Sequence, residues 1–431
     1  MSLTVNNHYD VVIVGAGMVG ASLACALTHG SGFEGLKLLL VEASPVLASS
    51  PVQQPGFDAR STVLSAGTMA YFSQLGLDQE LLSAAAPITE IHVSDQGRIG
   101  GVHLDSKQQG VSALGHVIEN IKLGQTLNQA LLRAANLELC APVQVTAINP
   151  CIEGMQLLLA KVTDNNTITG ITQAINFPEN KEITASLVVL AEGGRSSLCA
   201  NLGIEHYSHN YNQSALIANV AFTKPHASCA YERFTPKGPL ALLPLEDREG
   251  VHRAALVWTH SSADISEIMA MKDEALLQQL QQDFGKKLGT FTRIGKRSMY
   301  PLALQLAHEQ IRPALVLLGN VAHSLHPVAG QGFNLAMRDT MALAFNIRES
   351  LQQNVSPGSF TRLQCYLQAV QQDQQHTISF SDYMTRLFSS TNWLSTWTRT
   401  FGMASIDLLP PLKRQLNRQA MGLAQSRISL S

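Results

Sequence analysis

The stretch Asp10–Leu27, DVVIVGAGMVGASLACAL, indicates how the N-terminal part of this 431-residue chain folds. The β-branched run Val11–Val14 leads into a glycine loop, GAGMVG, and an Ala- and Leu-rich helical pattern follows. A strand, a glycine loop and a helix in this order are what a dinucleotide-binding turn requires. In that turn Gly15 permits the tight bend, Gly17 lets a pyrophosphate approach the backbone, and Gly20 lets the helix pack closely on the strand. The helix N-terminus then faces the phosphates.

An acidic residue at the expected distance supports this interpretation. A second strand is predicted over Leu36–Val41, and it ends at Glu42, which follows Gly20 by about the 20 residues expected of a ribose-binding acid. A carboxylate there accepts hydrogen bonds from both ribose hydroxyls and repels a 2′-phosphate, which disfavours NADP at this site. The motif does not separate FAD from NAD, and a glycine-rich turn without a ligand stays the alternative.

The composition points to a chain of two or three domains with few charges. Charged residues make up 14% of the chain, against about 25% in an average soluble protein, and hydrophobic residues make up 45%. This favours a large interior, an apolar ligand, or a surface that rests on partners or lipid. The net charge of -2 gives no electrostatic reason to expect nucleic acid as a partner.

The cysteines and the N-terminal uncharged run favour a cytoplasmic protein. The six cysteines have no CxxC or metal-ligand spacing, so we expect reduced thiols. The run Val11–Leu27 is shorter than the roughly 20 apolar residues that a membrane span needs, and three glycines interrupt it. No lysine or arginine precedes it, which argues against a signal peptide. Any membrane contact is therefore expected to be peripheral.

Two polar residues of the first half are candidate cofactor contacts. Arg60 lies in the Pro- and Ser-rich stretch Ser44–Thr68, and it is interpreted either as a solvated cap or as a phosphate or ribose contact. Gln125 lies at the start of a predicted amphipathic helix, Leu123–Ala135, where its amide either reaches a bound ring or is a simple polar N-terminal residue. Between them, the alternating pattern of Ile91–Val102 predicts one strand.

The centre of the chain predicts further strands and then a separate sheet. Val143–Ile148 and Ile183–Leu190 have strand patterns, and the second is apolar throughout, as in a strand buried on both faces. Ala215–His260 consists of short alternating segments between Pro, Gly and charged turns, which is typical of an antiparallel sheet and suits a substrate platform. The residues expected on its uncharged face are Phe234, Leu243 and Trp258. Ordinary core is the alternative interpretation of each.

From about Ser359 onward the pattern is helical, with aromatic and aliphatic residues among basic ones. It fits a helical cap, an oligomer interface or a surface that lies on a membrane, of which the first two are the more common. The apolar residues concerned are Phe388, Trp393, Trp397, Phe401, Leu408 and Leu409.

Three glycine-containing signatures stand in order along the chain: GAGMVG from Gly15, AEGGRSS from Ala191 and GNVAHSLHPVAGQGFN from Gly319. In this order they resemble the signatures of flavoprotein aromatic hydroxylases of the para-hydroxybenzoate hydroxylase fold, over essentially the whole chain. Within that group the segments GFDARSTVLSAGT, ANVAF, ERFTPKGPLALLPL, GKRSMYPLAL and GQGFNLAMRD look like those of the ubiquinone-biosynthesis monooxygenases.

The resemblance implies an α/β fold with three parts. These are a discontinuous, Rossmann-like FAD-binding domain, an inserted antiparallel β-sheet substrate domain and a C-terminal helical region. We assign residues 1–92, 116–202 and 298–357 to the FAD-binding domain. Residues 93–115 and 203–297 are assigned to the substrate domain, and residues 358–431 to the helical region.

The resemblance also implies how individual residues bind FAD. The glycine loop would hold the pyrophosphate, Glu42 the adenosine ribose, the backbone of Val145 the adenine, and the late motif the flavin ring. A helix that begins near Gly332 would direct its positive end at the N1–C2=O edge of the flavin, where the reduced ring is negative. The residues so assigned are Gly15, Gly17, Met18, Gly20, Glu42, Arg60, Gln125, Val145, Asn320, Pro327, Gly330, Gln331, Gly332 and Asn334.

Two positions depart from the family pattern. The Gly-Asp motif carries Asn320 in place of Asp, which removes a charge but keeps an acceptor for a ribityl hydroxyl. The Asp-Gly motif carries Glu192, one methylene longer, which changes the hydrogen bonds available there. His323 and His326 have HxxH spacing, but Pro327 follows and no acidic or thiol ligand lies nearby, so no metal is predicted. A general-base role for either histidine stays open.

The implied activity is hydroxylation of the aromatic ring of a polyprenylated phenol in ubiquinone biosynthesis. NAD(P)H would be the reductant, O2 the oxygen source, and a hydroperoxide at flavin carbon C4a the oxygen donor. No catalytic residue is assigned, because a phenol is already activated. Further expectations are other ubiquinone-biosynthesis proteins as partners, an oligomer, and peripheral contact of the C-terminal region with the inner membrane. The alternatives are a sister hydroxylase acting at another ring position, an FAD enzyme that reduces or halogenates its substrate, and a non-catalytic scaffold.

Overall fold

The computed structural model describes residues 6–46, 60–97, 101–162, 180–194, 196–325 and 330–389. Within these ranges the strands are β1 His8–Val14, β2 Leu38–Val41, β3 Ser61–Ser65, β4 Ala85–Ile88, β5 Glu90–Asp95, β6 Gly101–Asp105, β7 Gly115–Glu119, β8 Leu137–Cys140, β9 Val143–Cys151, β10 Gly154–Lys161, β11 Asn180–Leu190, β12 His206–Phe222, β13 Cys229–Thr235, β14 Gly238–Arg248, β15 Val251–Ser261, β16 Phe291–Ile294, β17 Ser298–Ala307, β18 Ile311–Arg312, β19 Leu315–Leu317 and β20 His323–Ser324. The helices are α1 Met18–His29, α2 Ala66–Gln74, α3 Asp78–Leu82, α4 Asn120–Arg133, α5 Ser197–Asn201, α6 Ile265–Ala270, α7 Asp273–Phe284, α8 Gln331–Gln352 and α9 Phe360–Ser389.

The first sheet is built around β1, which is apolar on both faces. β1 pairs in parallel with β11 on one side and β2 on the other, so that Ile13 lies opposite Val189. The parallel order continues to β19 beyond β11 and to β8 beyond β2. Val11 and Ile13 pack into a core with α1, α4 and α8, whereas Val12 and Val14 pack into a second core with β9, β10 and α5. Because both faces are covered, β1 needs no alternation of apolar and polar residues.

Four loop segments meet at one edge of this sheet. The glycine loop follows the carboxyl end of β1, Glu42 follows β2, Ala191–Gly194 follows β11, and the turn at Gly319 follows β19. Parallel neighbours end at the same edge, and ligands of open α/β sheets bind there. The predicted strand–loop–helix arrangement and the α/β fold class are confirmed.

The second sheet comes mainly from the segment predicted to be a substrate platform. Its strand order is β20–β17–β12–β15–β14–β13–β5–β6, with β16 also beside β12. One face carries α6 and α7, and Leu276 and Phe284 of α7 pack there with Leu240 and Trp258 of the sheet. The antiparallel sheet predicted over Ala215–His260 is confirmed.

Two details differ from the sequence-based expectation. The prediction of one strand over Ile91–Val102 is wrong, because β5 ends at Asp95 and the chain reverses before β6 begins at Gly101. Both arms of this hairpin alternate, so the pattern alone does not reveal the turn, which Gly97 permits with a φ of +77°. In addition, β17 pairs with β12 in the second sheet, although we assigned residues 298–357 to the FAD-binding domain. The domain boundaries stay a prediction.

The helical regions follow the sequence pattern where the structure describes them. The helix predicted over Leu123–Ala135 is α4 and is confirmed. A small antiparallel sheet, β3–β7–β4, lies before it. The C-terminal helical region begins with α9, and the apolar residues predicted from Phe388 onward lie outside the described side chains. Among the described helices, none is long and apolar enough to span a bilayer.

Candidate active site

A cavity of about 950 Å³ connects the edge of the first sheet with one face of the second. Its walls come from the glycine loop, the ends of β2 and β11, the start of α8, and the strands β5, β13, β14 and β15. It brings together most of the residues predicted from the sequence: Gly15, Gly17, Met18, Glu42, Arg60, Val145, Phe234, Leu243, Asn320, Gly330, Gln331, Gly332 and Asn334. Gly20, Gln125 and Trp258 do not line it, and Pro327 lies outside the described residues.

The three glycines of the first loop have two different functions. Gly15 has a φ of +99°, and a Cβ atom there would lie 2.8 Å from the Cα of Glu192. At Gly20 a Cβ atom would lie 1.9 Å from the carbonyl oxygen of Gly15, so both positions are fixed by packing. A Cβ atom on Gly17 would meet nothing within 4 Å, because Gly17 faces the cavity. Gly17 also precedes α1 without a side-chain cap, which leaves the first helical amides available to an anion.

Glu42 connects the glycine loop to the second strand. Its Oε2 accepts a hydrogen bond from the backbone N–H of Ala16 at 2.6 Å, and its Oε1 accepts one from the N–H of Ser44 at 2.8 Å. Each carboxylate oxygen keeps acceptor capacity after these bonds. The backbone of Glu42 accepts from the N–H of Val143 at 2.8 Å, which brings β9 and its cavity-lining Val145 beside it. The carboxylate is thus held in place with lone pairs left for ribose hydroxyls.

The two departures from the family pattern, Glu192 and Asn320, follow neighbouring parallel strands, β11 and β19, at the same edge of the first sheet. Both line the cavity, and a Cβ atom on Gly194 would lie 3.7 Å from the carbonyl oxygen of Asn320. Burial raises the pKa of Glu192, and the carboxylate of Glu42 raises it further, while a hydrogen bond from Ser196 opposes both effects. An Asp at position 320 would bring another negative charge to this edge. Asn320 avoids that charge and keeps an acceptor oxygen.

Arg60 precedes β3 of the small sheet and contacts the second sheet at the cavity wall. Its guanidinium carbon lies 4.6 Å from the ring centroid of Tyr300 in β17. Its carbonyl oxygen accepts a hydrogen bond from the N–H of Asn120 at 2.8 Å. Gln125 is half-buried on α4, little more than one turn beyond Asn120, and Asn120 rather than Gln125 lines the cavity. Arg60 therefore places a positive charge at the cavity wall, whereas the amide of Gln125 is farther along α4.

The start of α8 forms the wall opposite the glycine loop. Gly330, with a φ of +60°, precedes the helix without a side-chain cap, and a Cβ atom on Gly332 would meet nothing within 4 Å. Asn334 is buried, and its four hydrogen bonds are internal. Its Oδ1 accepts from Ser65 N at 2.9 Å and Thr68 Oγ1 at 2.7 Å, and its Nδ2 donates to the carbonyls of Val63 and Gly330, each at 2.8 Å. An amide side chain has two donors and two acceptor lone pairs, so Asn334 is fully engaged in joining α8 to β3.

Of the two aromatic residues predicted on the second sheet, Phe234 faces the cavity and Trp258 faces the core. Phe234 and Leu243 line the cavity, as does Val257. Trp258, the next residue in β15, points to the opposite face and is fully buried in the core under α6 and α7. Successive side chains of a strand alternate between faces, so the core interpretation of Trp258 is the one that its position supports. Sequence reasoning missed Glu232, which lies two residues before Phe234 and faces the same side.

Comparison with known proteins agrees with this arrangement. A sequence model of the FAD binding domain family matches residues 8–366. The chain belongs to this family of FAD-dependent monooxygenases.

Its relatives cover nearly the full chain. A ubiquinone hydroxylase of Rhodospirillum rubrum is 30% identical over 96% of this chain and 89% of that protein. A 3-demethoxyubiquinol 3-hydroxylase of Escherichia coli is 28% identical over 97% of this chain and 100% of that protein. Among solved structures, p-nitrophenol 4-monooxygenase of Pseudomonas putida has a TM-score of 0.76 at 16% identity, covering 98% of this chain and 100% of that one. This last likeness shows the shared fold.

The walls of the cavity in this FAD-dependent monooxygenase fit the cofactor. Gly17 and Gly332 face open space within one cavity, and each lies at the start of a helix whose first amides have no side-chain cap. Two helix N-termini offer amides to negative groups, and Glu42 offers acceptors to hydroxyls. These donor and acceptor types are the ones that a pyrophosphate, a ribose and a reduced flavin require.

The side chain of His323 is buried in the interior of this flavoprotein. It is 1% exposed, and its Nε2 lies 2.7 Å from Oδ2 of Asp339 in α8. Gln374 donates to the same oxygen at 2.9 Å. His326 lies outside the described residues, and in the described part of the chain no group of three or more His, Cys, Asp or Glu side chains is arranged to hold a metal ion. His323 thus holds α8 in place through Asp339.

We expect Asn334→Ala to loosen α8 from β3. The substitution leaves buried partners such as Ser65 N without their acceptor, at a cost of about 2 to 4 kcal/mol in the free energy of unfolding. Urea unfolding of the purified protein measures this change, and FAD content should fall with it. Asn346→Ala is the control on the same helix, since among the described residues Nδ2 of Asn346 donates to the carbonyl of Arg362 alone, and its expected cost is about 1 kcal/mol. Equal decreases in the free energy of unfolding for the two variants would contradict the role of Asn334 in joining α8 to β3.

Proposed function

We propose that this flavoprotein hydroxylates the aromatic ring of a polyprenylated phenol in ubiquinone biosynthesis, with NAD(P)H and O2 as co-substrates. The observation that carries the proposal is a cavity that joins the glycine loop and the start of α8 to a mostly apolar sheet face. Relatives over the whole chain length are named for hydroxylation of ubiquinone or of a ubiquinol precursor, which supports the same substrate class.

Several residues are proposed to hold FAD. The amides at the start of α1 and Gly17 would bind its pyrophosphate, Glu42 its adenosine ribose, and the strand around Val145 its adenine. Gly330, Gln331 and Gly332 would face the flavin ring. When bound, FAD supplies electron transfer from NAD(P)H and the activation of O2.

The chain's own residues orient the ring and exclude water. The sheet side of the cavity is lined by apolar side chains, including Ile91, Ile217, Leu243, Ala255 and Val257. An apolar wall accommodates a prenyl-substituted ring and keeps water away from a reactive oxygen donor. It also favours a neutral aromatic substrate over a charged one.

The proposed ring position is that of a 2-octaprenyl-6-methoxyphenol hydroxylase. A sister reaction at another ring carbon is the second candidate, because the Escherichia coli relative is named for hydroxylation at position 3 of demethoxyubiquinol. Other ubiquinone-biosynthesis proteins and an oligomer partner remain proposals, as does contact of the C-terminal region with the inner membrane.

The quinone-intermediate profile of a strain that lacks the protein tests the proposal. Accumulation of the methoxyphenol precursor supports the first ring position, and accumulation of the unsubstituted polyprenylphenol supports the sister reaction. An unchanged ubiquinone profile would contradict both. The purified protein is expected to carry a flavin absorption spectrum, and a colourless preparation that FAD does not reconstitute would contradict the cofactor assignment.

A further inference from the structure

One carboxyl group interrupts the apolar face of the second sheet. Glu232 lies in β13 directly opposite Val93 of β5 and Ala241 of β14, and Ala241 lies opposite Val257 of β15, which in turn lies opposite Ile217 of β12. All of these residues line the cavity. Glu232 is therefore the one ionisable side chain in a row of apolar ones across this sheet.

Contacts within the described residues do not account for the carboxyl group of Glu232. With the residues that the structure describes, its side chain makes no hydrogen bond and no ion pair, although its strand neighbours Arg233 and Tyr231 both engage the α7 side of the sheet. Burial raises the pKa of Glu232 to about 7. Keeping an unpaired carboxyl in apolar surroundings costs stability, and such groups are characteristic of functional sites.

The other charged groups of the described cavity belong to its cofactor end. They are Glu42 and Glu192 at the glycine loop and Arg60 before β3. The strands packed beside β13 present Val93, Ala241 and Val257 to the cavity, and the cavity side of α9 presents Phe380. His92 of β5 faces the other side, with its ring centroid 6.0 Å from that of Tyr231. On the same face, Asp95 of β5 lies opposite Phe234 but does not line the cavity, so Glu232 is the one carboxyl group of the described lining on the substrate side.

We propose that Glu232 is the catalytic residue that accepts the proton of the substrate's ring hydroxyl. The inference rests on the proposed function, because it requires a phenol in this cavity. The carboxylate accepts a hydrogen bond from the phenol O–H and takes its proton. The phenol O–H bond breaks, a carboxyl O–H bond forms at Glu232, and the electron pair of the broken bond stays on the phenol oxygen, which makes the ring more electron-rich. No further oxidant or reductant is needed for this step.

A pH profile of the holoenzyme tests the role. The substrate is a short-tailed 2-prenyl-6-methoxyphenol, and the rate followed is hydroxylated product formed. Below about pH 7 the carboxyl group is protonated and is not a base, so wild-type kcat/KM is expected to rise with pH through that value. Glu232→Gln is expected to lose this acid limb and to fall about 100-fold at the plateau. Glu232→Asp should keep the limb at a reduced rate.

A matched control and a second readout separate this role from a structural one. Glu246→Gln, exposed on β14 of the same sheet, should keep the wild-type profile. Glu232→Gln should keep its FAD content. The folded-state pKa of Glu232 lies above its ordinary value. The free energy of unfolding of the wild type therefore decreases as pH rises from below the ordinary pKa through about 7. The melting temperature of Glu232→Gln relative to wild type should therefore increase from about pH 5 to about pH 8.

The outcomes distinguish the two proposals. If the wild type forms product and Glu232→Gln keeps both its rate and the rise of that rate with pH, the role of Glu232 is overturned and the proposed function stands. An unchanged pH dependence of the melting temperature would overturn the buried, unpaired state on which it rests. A flavin-loaded wild type that forms no product from the phenol would overturn the proposed function, and the role of Glu232 with it.

Discussion

Gly17→Val is expected to give a folded protein that does not retain FAD. The Cβ position of Gly17 has no atom within 4 Å and lies on the wall of the cavity, so the Cβ atom of a valine fits there without a clash and its side chain occupies cofactor space. It would also cover the amides at the start of α1, which are the proposed pyrophosphate donors. FAD affinity should fall by at least about tenfold, equivalent to 1.4 kcal/mol or more. The measurement is the flavin-to-protein absorbance ratio after purification and after incubation with FAD.

Gly332→Val is the matched variant at the other wall of the same cavity. Its Cβ position is open in the same way, and valine is tolerated in a helix at a modest cost. Gly20→Ala provides the contrast, because its Cβ atom would lie 1.9 Å from the carbonyl oxygen of Gly15 and must displace backbone. Circular dichroism melting of the apoproteins should leave both valine variants near wild type and destabilise Gly20→Ala. Normal FAD content in both valine variants would mean that the cofactor lies elsewhere.

Asp339→Ala is expected to destabilise the protein by about 3 to 5 kcal/mol, the cost of removing one partner from a buried, hydrogen-bonded pair. Asp339 and His323 are each 1% exposed, and Gln374 donates a second hydrogen bond to the same carboxylate oxygen. Without Asp339, the imidazole of His323 and the amide of Gln374 lose their buried acceptor. Denaturant unfolding measures the change in the free energy of unfolding, with one m value fitted for all variants.

A double-mutant cycle isolates the pair from the rest of the interior. His323→Leu combined with Asp339→Ala removes both partners, and the double variant should be more stable than the sum of the single costs predicts, since neither the imidazole nor the carboxylate is left buried without the other. Asp373→Ala is the control on the neighbouring helix, because its ion pair with Arg338 is partly solvated. Its expected cost is about 1 kcal/mol. Additive costs for His323 and Asp339 would contradict the coupling.

Local sequence predicted the cofactor half of this molecule well, because its signals are short-range. The strand, loop and helix of Asp10–Leu27 are continuous in sequence, and Glu42 follows at a spacing that the fold itself sets. Because β1 and β2 are parallel neighbours, Glu42 and the glycine loop lie at the same edge of the sheet, and no further sequence motif is needed to predict this. A resemblance that runs over the whole chain added the late motif, whose Gly330 and Gly332 line the same cavity.

What sequence did not predict depends on long-range packing and on strand parity. The hydrogen bonds of Asn334 are one example, because its partner Ser65 lies 269 residues earlier and no local pattern connects them. Phe234 and Trp258 are equally apolar in sequence, and only pairing with neighbouring strands decides that one faces the cavity and the other the core. Glu232 was overlooked for the same reason, since a single acid in a strand is usually solvated. Its cross-strand neighbours make it unusual.

The central claim is that one cavity brings FAD and a prenylated phenol together so that oxygen passes to the ring. The most direct measurement is mass spectrometry of the product formed by flavin-loaded protein from short-tailed 2-prenyl-6-methoxyphenol, NAD(P)H and isotopically labelled O2. We predict one labelled oxygen atom on the aromatic ring. Reduction and reoxidation of the flavin with no label in any phenolic product would contradict the account.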